Sequence, residues 1–183
     1  MATHYKLNTG LTLWLTGLSG SGKSTITQAL VSRLQDSNLA LEVLDGDEIR
    51  EHLCKDLGFS KEDRFTNIER IAFLAGKISK HRVLVIVPVI APYKEARAKA
   101  RSLSDNFIEV FVKANIDTVI NRDVKGLYKK ALAGEIQNFT GISDPYEEPE
   151  SPDILIESDK LGVEESTNQI ISFLCQKNYL CNL

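Results

Sequence analysis

The chain has three cysteines, Cys54, Cys175 and Cys181, in 183 residues, and no two are spaced Cys-x-x-Cys. An odd, scattered set excludes a disulfide framework and a cysteine-built zinc site, and it predicts a reducing, cytoplasmic setting. Long apolar runs are missing too. The longest, residues 83–91, contains Pro88, and a membrane helix needs about 20 residues. Residues 1–10 lack the apolar centre of a secretory signal. Positive charge is not in excess: 22 Lys and Arg stand against 25 Asp and Glu, a formal charge of −3. That balance excludes a generally basic nucleic-acid binder, though not a local basic pocket. Internal repeats and low-complexity tracts are absent.

What remains is ordinary soluble composition, 43% hydrophobic and 26% charged. The length suits one domain over residues 1–183, with a small lid. Short aliphatic runs alternate with helical patterns. Residues 11–16 (LTLWLT), 41–45 (LEVLD), 83–90 and 107–112 (FIEVFV) read as strands, and 154–156 as a short fifth. Residues 22–35 read as a helix with Ile26, Leu30 and Leu34 on one face, and 163–176 as a closing amphipathic helix. This alternation predicts an α/β fold with a parallel sheet of about five strands and helices on both faces.

Two segments break the rhythm. Residues 122–134 (RDVKGLYKKALAG) carry many cations and suit a mobile lid facing phosphates. Residues 143–153 (SDPYEEPESPD) hold three of the five prolines and five acids without a base, which predicts an ordered acidic surface loop. Without those five acids, 22 cations face 20 acids in the rest of the chain.

Gly17-Leu18-Ser19-Gly20-Ser21-Gly22-Lys23-Ser24-Thr25 fits G-x-x-x-x-G-K-[ST] between a predicted strand and a predicted helix. Its glycines let the backbone N–H groups turn inward as an anion nest, and the helix N-terminus adds positive potential. Lys23 is placed to reach the β- and γ-phosphates of ATP, and Ser24 to hold Mg²⁺. The loop implies binding of a nucleoside triphosphate but does not say what the triphosphate is used for.

Asp45 and Asp47 flank Gly46 at the end of the second predicted strand, with Arg50 three residues on. In open α/β sheets ligands bind at such strand ends. One acid can orient metal-bound water while the other accepts a proton from an attacking hydroxyl. The alternative role is helix capping. Arg50 suits an anionic acceptor. On the helical pattern of residues 64–80, Ile68, Ile71, Ala75 and Ile78 form one stripe, while Glu69, Lys77 and Lys80 lie opposite. Arg64 and Asn67 sit on the stripe, so each is either paired internally or faces a cleft. Phe59 and Phe65 are candidates for stacking on a base or for the core.

At this point several motifs carry a resemblance. Leu44-Asp45-Gly46-Asp47-x-x-Arg50, Lys55-Asp56-Leu57-Gly58-Phe59-Ser60, Asp63-Arg64, Asn67-Ile68, Asp123-Val124-Lys125-Gly126-Leu127-Tyr128-Lys129-Lys130 and Gly134-Glu135-Ile136-x-x-Phe139-Thr140-Gly141-Ile142 resemble those of adenylylsulfate kinases. The likeness runs from about residue 10 to residue 175. It implies Mg²⁺-dependent transfer of the ATP γ-phosphoryl group to the 3′-hydroxyl of adenosine 5′-phosphosulfate. The alternatives are a related kinase with another acceptor and a non-catalytic nucleotide-binding paralogue.

By that resemblance Asp47 deprotonates or orients the hydroxyl, and Asp45 supports Mg²⁺. Residues 17–25 and Arg122 bind the nucleotide. Arg50, Arg64, Asn67, Ile90, Lys125, Gly126 and Leu127 hold the second substrate, and Phe59 and Phe139 sandwich its adenine. The lid spans about 124–142, and the assembly is a homodimer. Three departures stand out. Ala91 occupies the place of a family serine, so no phosphoserine can form there and direct in-line transfer is expected. Leu132 stands for a lid arginine. Glu69 also replaces an arginine, with little expected effect because it is placed on the outer face.

Overall fold

A computed structural model describes residues 4–183. Its strands are β1 (Tyr5–Leu7), β2 (Leu11–Thr16), β3 (Leu41–Val43), β4 (Leu84–Pro88), β5 (Phe107–Lys113), β6 (Ile154–Glu157) and β7 (Leu180–Asn182). Its helices are α1 (Lys23–Leu34), α2 (Gly46–Leu53), α3 (Lys61–Ser79), α4 (Lys94–Ser102), α5 (Ile116–Arg122), α6 (Leu127–Leu132) and α7 (Val163–Gln176). Five strands form a parallel sheet in the order β3-β4-β2-β5-β6, as the alternating pattern predicted. Outside it, β1 and β7 pair antiparallel. No helix among the described residues is long and apolar enough to cross a membrane.

The period-two side-chain alternation of a strand divides the core into two layers. Leu11, Leu13 and Leu15 of β2 pack with Ile26, Leu30 and Leu34 of α1 and with Ile170 and Leu174 of α7. Trp14, from the same strand, packs with Ile68, Ile71 and Ala75 of α3 and with Ala96 and Ala100 of α4. Burying each large aliphatic side chain contributes about 1.5–3 kcal/mol. Because both faces are covered, β2, β4 and β5 read as nearly unbroken apolar runs. On the outer face of α3, Glu69 keeps its side chain 45% exposed and pairs with Lys99 of α4 at 3.3 Å.

The acidic stretch 143–153 is ordered because each of its five carboxylates has a partner. Asp144 accepts from the Tyr93 hydroxyl at 2.8 Å, and Glu147 accepts from the backbone N–H of Lys94 at 2.7 Å. Glu148 pairs with Lys113 at 2.7 Å, Glu150 with Lys94, and Asp153 with Arg101 at 2.7 Å. Beneath it lies Arg97, only 5% exposed. Its Nε stands 3.1 Å from Glu109 Oε1, while Nη1 and Nη2 donate to the carbonyls of Ala91 and Glu147 at 2.7 and 2.6 Å. One guanidinium therefore joins β5, the residues after β4 and the acidic stretch. Burial pushes the Glu109 carboxyl up, and Arg97 and Arg101 oppose that shift.

Removing Arg97 leaves the Glu109 charge buried with less compensation. Arg97→Ala should cost about 3–5 kcal/mol, read as a lowered urea midpoint. A loss below about 1 kcal/mol would mean the pair behaves like an exposed one.

Candidate active site

The loop between β2 and α1 is built around its glycines. A Cβ on Gly17 would stand 2.3 Å from the Val112 carbonyl oxygen, and Gly22, with φ +102°, adopts a conformation L side chains rarely reach. Five consecutive carbonyls of the loop accept from side chains. Lys23 Nζ, on a side chain that turns back into the loop, donates to Gly17 and Leu18 at 2.9 and 2.8 Å. Tyr128 Oη donates to Ser19 at 2.9 Å, Arg122 Nη1 to Gly20 at 3.4 Å, and Ser158 Oγ to Ser21 at 2.6 Å. With its oxygens tied off, the loop has N–H groups left to present, the requirement for an anion nest. Ser24 and Thr25 are exposed at the start of α1. Arg122 also donates to the Ser158 carbonyl at 3.0 Å, so it lies against this loop.

Lys23 is buried, and desolvation lowers its ammonium pKa to about 7. The nearby Lys125 charge adds to that shift, while Asp47 and Asp45 counter it. Asp45 caps α2: its Oδ1 accepts from the N–H groups of Asp47 and Glu48 at 2.9 and 3.4 Å. The capping role is thus occupied by one oxygen, and Oδ2 has no protein hydrogen bond among the described residues. Asp47 is exposed, and its Oδ2 accepts from Lys125 Nζ at 2.5 Å, which raises the lysine pKa.

Beyond Asp47, three side chains stack. The guanidinium groups of Arg50 and Arg64 lie 4.4 and 5.6 Å from the Phe59 ring centroid. Phe59 is 59% exposed, so it is not a core residue, whereas Phe65 packs against the α3–α4 layer. Arg50 Nη2 donates to the Gly58 carbonyl at 2.7 Å, but its Nη1 is buried without a partner. Asn67 Oδ1 is buried without a partner as well. Arg64 donates to the carbonyls of Phe59 and Asn138 at 3.1 and 2.6 Å, joining the start of α3 to the residues after α6. Ile90, half-buried after β4, accepts at its carbonyl from Thr16 Oγ1 at 2.5 Å.

The segment expected to form a lid, about 124–142, contains α6 with a glycine on each side. Gly126 and Gly134 have φ +65° and +78°, and nothing lies within 4 Å of a Cβ built on either, so their requirement is conformational freedom. The Asp123 carboxylate accepts from the N–H groups of Tyr128 and Lys129 at 2.9 and 3.0 Å and fixes the first turn. Leu127 is half-buried; Lys129, Lys130 and Leu132 are exposed. Phe139 meets Tyr128 edge-on at 5.0 Å. Tyr128, Ser158 and Asp123 therefore shape the site without having been singled out as site residues. Tyr128 and Ser158 act through tertiary contacts that sequence spacing does not reveal, and Asp123 through a local cap of the α6 first turn.

A family model described as Adenylylsulphate kinase matches residues 9–157. The chain belongs to this family. Adenylyl-sulfate kinases of Rippkaea orientalis and Gloeothece citriformis are 53% and 52% identical to it, each over 93% of this chain and over 94% and 97% of the relative. An APS kinase from Mycobacterium tuberculosis, solved with AMPPNP and APS, superposes with TM-score 0.87 at 40% identity, covering 91% of this chain and 98% of that one. A hexameric APS kinase from Thiobacillus denitrificans superposes at 0.71 and 34% identity; the match covers 93% of this chain and 30% of that one. A sugar kinase 17% identical, with TM-score 0.63, shares the fold alone.

For this kinase the lowered pKa of Lys23 has a measurable sign. Between about pH 7 and the ordinary lysine value of 10.5, the unfolded chain holds a proton that the folded one has released, so this group makes stability rise with pH in that window. Bound phosphates reverse the shift. Binding of a non-hydrolysable ATP analogue at pH 8 should therefore take up a proton, about one at most. Calorimetry in buffers of different ionisation enthalpy measures it. Uptake should vanish at pH 5.5 and in Lys23→Met; buffer-independent heats at pH 8 would contradict it.

Proposed function

We propose that the chain transfers the γ-phosphoryl group of ATP directly to the 3′-hydroxyl of adenosine 5′-phosphosulfate, giving 3′-phosphoadenosine 5′-phosphosulfate. The observation that carries this is Asp47 lying near Lys23 of the anion nest and three residues before Arg50 of the Arg50–Phe59–Arg64 stack. The nest suits the triphosphate. The stack offers two cations and an open aromatic face, which suit a phosphosulfate and an adenine. The buried unpaired atoms Arg50 Nη1 and Asn67 Oδ1 suit the same acceptor, because an unmet buried polar group costs about 1–3 kcal/mol unless a ligand pairs with it.

Asp47 orients the attacking hydroxyl and takes its proton. Lys125, now on Asp47, is within reach of exchanging that carboxylate for phosphate oxygens, which frees the acid for this work. Lys129 and Lys130 add charge as the lid closes and excludes water. The exposed Ser24 hydroxyl and the free Asp45 Oδ2 are hard oxygen donors that fit Mg²⁺. Among the described residues no group of three or more His, Cys, Asp and Glu offers a cation site of its own, in keeping with an ion completed by nucleotide phosphates. Bound there, Mg²⁺ neutralises developing charge on the phosphates. Ala91, buried and without a nucleophilic atom, supports direct transfer over a phosphoenzyme. A cytoplasmic homodimer belongs to the same reading and rests on the family resemblance and the cysteine usage.

Purified protein with Mg·ATP and adenosine 5′-phosphosulfate should yield ADP and the 3′-phosphorylated product. Turnover confined to other acceptors would overturn the substrate assignment. Asp47→Asn should lower kcat about 10²–10⁴-fold with folding intact, and near-normal turnover would remove Asp47 as base. With γ-labelled ATP and no acceptor, the protein should stay unlabelled; label retained on the chain would refute direct transfer.

A further inference from the structure

We infer that Asp144, anchored by the Tyr93 hydroxyl, is a positioning residue that aims Arg64 and sets the turn presenting Phe139 to the acceptor substrate. The inference rests on the reading that Arg64 and Phe139 hold adenosine 5′-phosphosulfate.

Tyr93 follows β4 and is only 4% exposed. Its Oη donates to Asp144 Oδ2 at 2.8 Å, and that same oxygen lies 3.9 Å from Arg64 Nε. Burial, then the Asp144 carboxylate, pushes the phenol up to about 12, so it remains a donor across the working pH range. The hydrogen bonds of Arg64 go to the carbonyls of Phe59 and Asn138, and the Phe59 ring lies 5.6 Å from the guanidinium. Desolvation works against its charge, and the Asp144 carboxylate supports it. Arg64 Nη1 makes no hydrogen bond to the described residues, which leaves it for a ligand.

The backbone of Asp144 does a second job. Its N–H donates to the Phe139 carbonyl at 3.1 Å, and its carbonyl accepts from Gly141 N–H at 2.8 Å. Ser143 Oγ, one residue before, accepts from Phe139 N–H at 2.9 Å. Asp144 thus closes the turn that starts at Phe139 while its side chain reaches Arg64. Both groups are part-open, with side chains 13% and 19% exposed for Arg64 and Asp144. That places the contact on the rim of the cleft, outside the packed core.

The test is a double-mutant cycle on purified enzyme, read as KM and kcat and as direct calorimetric binding of adenosine 5′-phosphosulfate. Asp144→Asn and Tyr93→Phe should each raise the acceptor KM about tenfold. For both variants, kcat, ATP KM and melting temperature should stay close to wild type. In an Arg64→Ala background, Asp144→Asn should add less than about twofold. Equal penalties in both backgrounds would overturn the inference, as would a lowered melting temperature with unchanged acceptor KM. Wild-type protein that binds the acceptor without phosphorylating it would sink the proposed reaction alone, because binding still reads the cycle. Protein that does not bind it would sink both.

Discussion

All five strands of the main sheet run in one direction, so their carboxyl ends share one rim. A parallel strand can be reached only by a crossover that carries the chain back across the sheet, usually as a helix. Each crossover therefore begins at this rim, and the first residues of each can be used for chemistry. The phosphate loop leaves β2 there, the Asp45–Asp47 turn leaves β3, the Ala91–Tyr93 segment leaves β4, and Ser158 follows β6. No residue in this collection is near all the others in sequence. The direction of the strands brings them together, and open α/β sheets bind ligands at such a rim for this reason.

On that rim, cations and acids are handled differently. Lys23, Arg50 and Arg64 rest largely on backbone carbonyls, neutral acceptors that a phosphate or sulfate oxygen can outcompete. Lys125 is the exception, resting on Asp47. The acids of residues 143–153 are instead matched to cations or hydrogen-bond donors of the framework, Lys94, Arg101, Lys113 and Tyr93 among them. Negative charge thus fastens a surface segment to the fold, and positive charge in the cleft stays exchangeable. The small net charge of −3 conceals this division.

Much of the fold could be read from the chain because the core strands and long helices have clear periods. Residues 11–16 and 163–176 were placed with the bounds the structure shows, since both layers of the core demand apolar residues there. Shorter pieces escaped. β1 and β7 have three residues each, and α5 has seven, too few for a period to appear. α4 hides its buried face behind Arg97, whose pairing partner Glu109 lies on β5, so no local pattern marks that arginine as interior. β3 ended earlier than predicted, at Val43, because Asp45 is already capping the next helix. In the site, the phosphate loop and the paired acids were legible from residue type and spacing. Residue type alone did not separate the two candidate phenylalanines; the family resemblance chose Phe59, which is exposed while Phe65 is half-buried. Tyr128 and Ser158 act through single hydroxyls on loop carbonyls, contacts that only the folded chain brings about.

The β1–β7 ribbon lies at the opposite end of the molecule from this rim. α1 starts at the phosphate loop and runs away from it, and Ser37, just past its end, accepts from Tyr5 N–H at 3.0 Å. The N–H of Leu183 in turn donates to the His4 carbonyl at 2.9 Å. The described chain is therefore a ring in all but one covalent join. A short linker between the ends would turn it into a closed loop that can be cut open elsewhere, for instance between α1 and β3, with the order of the elements permuted. The same geometry brings His4 and Leu183 to one place, across the sheet from the phosphate loop.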